Sequence, residues 1–291
     1  MRTDDGRESS NVEDRRDEGG GGGGFRLGGG GLGIAGIVIA LVVSYFTGIN
    51  PLTLLSMFEG GSAPPPQQQR PAPAPPKGDA QAHLVSVVLA DTEDVWKALF
   101  AKAGKQYVEP KLVLFRGRTP TACGTGQAAM GPFYCAGDRK VYIDLAFFDA
   151  MKNRFHASGD FAQAYVIAHE VGHHVQNLFG ISDKVNHLRG RASEAQANAL
   201  SVRVELQAVC FAGVWGFHAN KARHILENGD IEAAINAATQ IGDDTLQKSA
   251  GRAVVPESFT HGSAAQRVRW FKQGIATGDP EQCNTVAARP R

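Results

Sequence analysis

Apolar residues recur at helical spacing from residue 161 to residue 178: Phe161, Ala164, Tyr165, Ile167, Ala168, Val171 and Val175. That period buries one face of an α-helix. Asp160, with Gln163 three residues on, reads as its N-cap, and Gly180 as the residue that ends it. A second helix is expected from Thr92 to Ala103, where Val95/Leu99 and Trp96/Phe100 repeat at i,i+4. Val85–Leu89 is a short apolar run, and Lys111–Phe115 and Lys140–Leu145 read as strands around a Gly- and Cys-bearing loop, Gly117–Gly137. Helices follow at Ser193–Val214, opened by a Ser193/Gln196 capping box, at Asp230–Gln240 and at Ser263–Gly274. Strands first and helices afterwards indicate an α+β domain.

The first third of the chain has a different texture. Residues 1–30 are polar, mixed in charge and glycine-rich, which predicts a disordered tail. No charged residue occurs from Leu27 to Phe58, and residues 31–55 are apolar enough to span a hydrocarbon core of about 30 Å. A signal peptide is the rival reading; the long charged lead-in and the lack of an A-x-A cleavage site argue against it. Five arginines precede the span (Arg2, Arg7, Arg15, Arg16, Arg26), against Arg70 and Lys77 just after it. The positive-inside rule then predicts a single pass through the lipid bilayer of an inner or plasma membrane, with a cytoplasmic N-terminus and a periplasmic or extracellular domain. Residues 56–79, rich in Pro and Gln, read as a semi-rigid linker, leaving 80–291 as the folded domain.

Net charge is +1, so nothing in the electrostatics calls for a nucleic-acid partner. All four cysteines follow the apolar segment, and an even count there suggests disulfides. Cys123–Cys135 and Cys210–Cys283 are the favoured pairs, with four buried free thiols as the alternative.

The chemistry concentrates in the Phe161–Leu178 helix, which reads H-E-x-x-H at His169, Glu170 and His173. Residues four apart share a helix face, so both imidazoles can hold one Zn²⁺, and Glu170, turned about 100° around the axis, can act as base. The set points to metal-assisted amide hydrolysis. Position 179 is Phe, which excludes the longer motif with a third histidine. The third ligand is then a carboxylate of the next long helix. Glu205, set among apolar residues that leave a charge needing a partner, is preferred to Glu194, whose place in the first turn the helix dipole already explains. His261 and Arg267 are candidates for holding a developing oxyanion. The alternatives are a structural turn histidine and a surface arginine. His174 points away from the pair and reads as a surface or supporting residue. His83, His156, His187, His218 and His224 read as surface or core. Val141–Asp144 is a candidate edge strand for aligning an extended substrate.

Ala164–Gln176, Glu205–Ala208, Cys210–Trp215, Ile241–Asp244, Ser258–Gly262 and Gln266–Trp270 together resemble the YpfJ-like family of neutral zinc metallopeptidases, bacterial single-pass membrane proteins. The resemblance covers Leu84–Cys283. It implies a zincin-like domain with His169, His173 and Glu205 as ligands of one zinc ion, Glu170 as base, and peptides or proteins as substrates. The chain departs from the family at Val209, where an Asp is expected one turn after the ligand Glu205. In related enzymes that Asp braces a zinc-bound histidine, and loss of such a brace typically costs about 10–100-fold in metal affinity or activity. Either zinc is held less tightly here, or Asp243 or Asp244 takes over. A catalytically silent peptide-binding zincin, and a hydrolase of cell-wall peptides or small amides, are the competing readings.

Overall fold

The computed structural model describes residues 1–3, 6–18, 73–127, 131–154 and 157–286. Contacts divide the chain into one unit of Met1–Gly20 with Ala72–Arg291, and a second of Gly21–Pro71. The expected membrane span at 31–55, most of the linker and His156 lie outside the described residues.

The tail expectation fails for residues 1–3 and 6–18, the described part of that stretch. Val12–Asp14 forms β1 and pairs in parallel with β2 (Lys111–Phe115). The charges that made this stretch look unfoldable have partners. Glu13 bonds Lys140 and Arg15, Asp14 bonds Arg16, and Arg7 bonds Glu93. Composition records charge but not pairing, which is why the segment read as disordered.

α1 runs without a break from Ala80 to Lys102, so the apolar run at Val85–Leu89 is its buried middle. β2 and β6 (Lys140–Asp144) pair in parallel, and β5 (Phe133–Cys135) adds antiparallel to β6, giving the order β1-β2-β6-β5. Part of the expected loop is instead a small hairpin of β3 (Arg118–Thr121) and β4 (Gly124–Gln127). β6 lies inside the sheet, paired along its length with β2 and over Lys140–Tyr142 with β5, so it is not the edge strand expected. Among the described strands that role is open to β5, the antiparallel edge of the sheet.

The helical half contains α2 (Ala146–Arg154), α3 (Asp160–Leu178), α4 (Ile181–Arg189), α5 (Glu194–Arg223), α6 (Asp230–Gln240), α7 (Asp243–Ser249) and α8 (Ala264–Thr277). Gly159 is the N-cap of α3, one residue earlier than expected, while Ser193 and Ser263 close capping boxes on α5 and α8. α3 lies at the centre of the core, with Phe161, Tyr165, Ile167, Val171 and Val175 fully buried. α5 is long and apolar enough to span a bilayer, but 61% of its apolar window is buried inside the domain. Two disulfides, Cys123–Cys135 and Cys210–Cys283, pair all four cysteines as favoured.

Glycines set how closely the helices approach. A Cβ on Gly172 would stand 3.0 Å from the Ala208 carbonyl oxygen, so α3 and α5 touch backbone to backbone. A Cβ on Gly213 would fall 2.5 Å from the Phe271 oxygen, and one on Gly274 would collide with the Cys210 carbonyl. α8 therefore fits α5 only through this pair of glycines. Gly274→Ala is expected to destabilise the domain by about 2 kcal/mol or more, because neither backbone can move alone. Thermal denaturation checks this, and an unchanged melting temperature would show that α8 is not seated as described.

Candidate metal centre and active site

The contact at Gly172 brings the third candidate ligand to the first two. His169 and His173 sit one turn apart on α3, and Glu205 reaches them from α5. His169 Nε2 lies 3.2 Å from Glu205 Oε2, and His173 Nε2 lies 3.3 Å from Glu205 Oε1. One donor atom from each of the three residues falls within a 4.8 Å cluster. A tetrahedral zinc with ligands at about 2.0–2.1 Å sets its donors about 3.3–3.4 Å apart. The measured separations match that spacing, so two imidazoles and a carboxylate fit one zinc ion. Glu194 is exposed, and eleven residues of α5 separate it from Glu205, about 16 Å along the axis, so it cannot join them.

The site is buried, and burial sets its electrostatics. It pulls His169 down to about 4 against the pull of Glu205, and it pushes Glu170 up to about 7. Burial also opposes charge on His173, but Glu205 and Glu170 outweigh it and push that imidazole up to about 9. Burial alone would raise Glu205; the two histidines hold it well below the usual carboxylate range. Arg267, 2% exposed, adds its guanidinium 3.6 Å from Glu205 Oε2 and donates to Tyr165 Oη and the His261 carbonyl. It is therefore a core residue of the site and not the surface arginine that helix spacing left open.

Supporting contacts differ from those expected. Gln176 Oε1 meets His173 Nδ1 at 2.9 Å. The Gln176 amide donates to the Val204 carbonyl and to Gln207 Oε1, and Gln207 donates to the Cys283 carbonyl. This line of amides runs from the candidate ligand His173 to the Cys210–Cys283 disulfide. Neither Asp243 nor Asp244 braces a candidate ligand. Asp244 accepts from the Ala264 N–H at the start of α8. Asp243 Oδ2 accepts from the N–H groups of Thr260, His261 and Gly262, and its Oδ1 lies 3.2 Å from His261 Nδ1. Nδ1 of His169 is buried and has no hydrogen-bond partner among the described residues. Val209, fully buried one turn after Glu205, supplies none.

His174 is also buried, and it ties the edge strand to α3. Its Nε2 lies 2.6 Å from the Val108 carbonyl, which only a donor can approach, so Nδ1 accepts from Tyr134 Oη at 3.0 Å. Asn177 completes the joint by donating to the same hydroxyl. Burial pulls His174 down to about 4, which keeps the imidazole neutral for this role.

His169, Glu170, His173, Glu205, His261 and Arg267 share one cavity of about 900 Å³ with Tyr134 of β5. Its remaining walls are mainly apolar: Phe133, Phe147, Val166, Ile241 and Leu246. Sequence reasoning missed Gln176, Gln207 and the pairing of Asp243 with His261. The one available signal was Gln176 itself, a polar residue in the apolar stretch of α3.

An H-E-x-x-H helix with a glutamate from the next long helix gives this α+β domain a two-histidine, one-carboxylate cluster that could hold a metal ion. The chain belongs to the family described as "Putative neutral zinc metallopeptidase", which matches residues 1–286. It is 53% identical to the uncharacterized protein YpfJ of Escherichia coli K12 over 289 residues, 98% of each chain. It is 42% identical to an uncharacterized protein of Mycobacterium tuberculosis over 206 residues, 67% of each chain. No solved structure matches.

Two outcomes follow for metal binding. In the metal-free chain the His173 proton, held up to a pKa of about 9, must leave before Nε2 can act as a ligand. Zinc affinity should therefore rise with pH through the neutral range and level off above about 9; chelator competition across that range measures it, and a flat profile would remove His173 from the ligand set. Val209→Asp should supply the acceptor that His169 Nδ1 lacks and tighten zinc about 10-fold or more. The same titration reads this, and unchanged affinity would show that the orphaned nitrogen is not what limits binding.

Proposed function

We propose that this chain is a zinc-dependent metallopeptidase with a zincin-like catalytic domain. One observation carries the reading. Glu170 lies 6% exposed beside the first ligand, in the same cavity as all three, with its pKa at about 7. A carboxylate so placed can take and return a proton near neutral pH. Lewis acidity toward a carbonyl and toward water is the chemistry that zinc, held by His169, His173 and Glu205, supplies when bound.

The chain's own residues account for the rest. Glu170 accepts a proton from the attacking water and delivers it to the departing amine nitrogen. His261 holds Nδ1 toward Asp243, leaving Nε2–H to donate to the carbonyl oxygen as negative charge builds there. The hydrogen bond that His261 donates to Asp243 raises its pKa against burial, which favours the charged donor. Arg267 holds the Glu205 carboxylate and the His261 turn in place. β5, whose outer edge is open, offers main-chain groups to an extended peptide. The apolar walls favour a peptide with a bulky apolar side chain next to the bond cut.

A catalytically silent peptide-binding module is the second reading, and the unpartnered His169 Nδ1 is the feature that favours it. Glu170→Gln separates the two. Zinc content should stay at wild-type level while cleavage of a peptide library is lost. Equal turnover by that variant would sink the mechanism, and no turnover by the zinc-loaded wild type would favour the binding module. In the same assay His261→Gln should lower kcat with zinc content unchanged.

A further inference from the structure

The side chain of Gln176 has a direction, and backbone carbonyls set it. Cys283, the last residue of a short helical turn at Pro280–Cys283, presents its carbonyl to the Gln207 amide nitrogen at 3.0 Å. A carbonyl oxygen only accepts, so the NH2 end of Gln207 must face it and Oε1 must face the other way. Gln207 Oε1 lies 3.1 Å from the amide nitrogen of Gln176, which also lies 2.7 Å from the Val204 carbonyl of α5. Two acceptors thus claim both N–H bonds of that amide, and they agree in direction. Turned over, Gln176 would set its oxygen against two other oxygens with no water to relieve them, since Gln176 is 0% exposed and Gln207 5%. Gln176 Oε1 is thereby fixed toward His173 Nδ1, 2.9 Å away.

An amide oxygen can hold an imidazole nitrogen only where that nitrogen carries a proton. Nδ1 of His173 therefore keeps its proton, and Nε2, 3.3 Å from Glu205 Oε1, is the nitrogen left for a metal. Which ring nitrogen a histidine offers a metal is set by the hydrogen bond its other nitrogen makes. His169 receives no such instruction, because its Nδ1 is buried without a hydrogen-bond partner among the described residues. Resting on the zinc-ligand set of the proposed function, we propose that Gln176 is a positioning residue of the metal centre. Gln207 aims it, and the carbonyl-fixed amide pair selects Nε2 of His173 as the ligand atom. The support sought from a carboxylate is thus supplied by two neutral amides.

Zinc binding by the full chain tests this. Gln176→Met and Gln207→Met remove the amides while keeping long side chains in place. In chelator competition, Gln176→Met should hold zinc about 10-fold or more less tightly, and Gln207→Met less tightly by a smaller factor. Because Gln207 acts through Gln176, the double variant should bind zinc no more weakly than Gln176→Met alone. Unchanged affinity in either single variant, or losses that multiply in the double variant, would overturn the proposal. The unsubstituted chain gives a readout that no loss of folding can blur. Nitrogen NMR of the zinc-loaded protein should find the His173 proton on Nδ1, and a proton on Nε2 would equally defeat the proposal. Neither measurement uses turnover, so a chain that binds zinc in this way but cleaves no peptide would sink the peptidase alone.

Discussion

The site depends on one close contact between backbones. Gly172, inside the H-E-x-x-H motif, lets α3 and α5 approach until a methyl group would not fit between them. Only at that distance can Glu205 place one carboxylate oxygen against each histidine. Much of the surrounding polar network serves the charge gathered there. Arg267 balances it, Gln176 orients one imidazole, and Tyr165 anchors the arginine. The glycines that seat α8 on α5 act at one remove, because α8 carries Arg267 and its N-cap follows the His261 turn.

Much of this was legible in the sequence, for a physical reason. A ligand pair on one helix is a local property, fixed by spacing, so His169, Glu170 and His173 could be read directly. Glu205 was legible because a charge in an apolar stretch needs a partner. The capping box at Ser193 also lies within a single turn. What could not be read was pairing across the chain. The bond of Asp243 to His261, the amide line from Gln176 to Gln207, and the docking of β1 each join residues that local rules treat separately. β6 was mistaken for an edge strand because a strand's neighbours are not written in its own residues. Val85–Leu89 looked like a separate run because its pattern is apolar on every side, as suits a helix buried all round.

Val209 shows how a site can be legible in outline and still differ in strength. The ligand set is complete without it, since none of the three donors depends on that side chain for position. The second nitrogen of His169 is buried with no hydrogen-bond partner among the described residues. An unpaired buried donor costs about 1–3 kcal/mol, a penalty large enough to weaken a metal site yet too small to unfold a domain.

The two disulfides gain a shared meaning from where they lie. Cys135 ends β5, the edge strand beside the cavity, and the Cys283 carbonyl holds Gln207 at the end of the amide line to His173. One crosslink ties down the edge strand and the other the far end of the amide line. Order imposed covalently before a peptide arrives is order that binding need not impose. The cleft is thus preorganised by oxidation, so the compartment in which the chain folds helps to determine how sharply the site is formed.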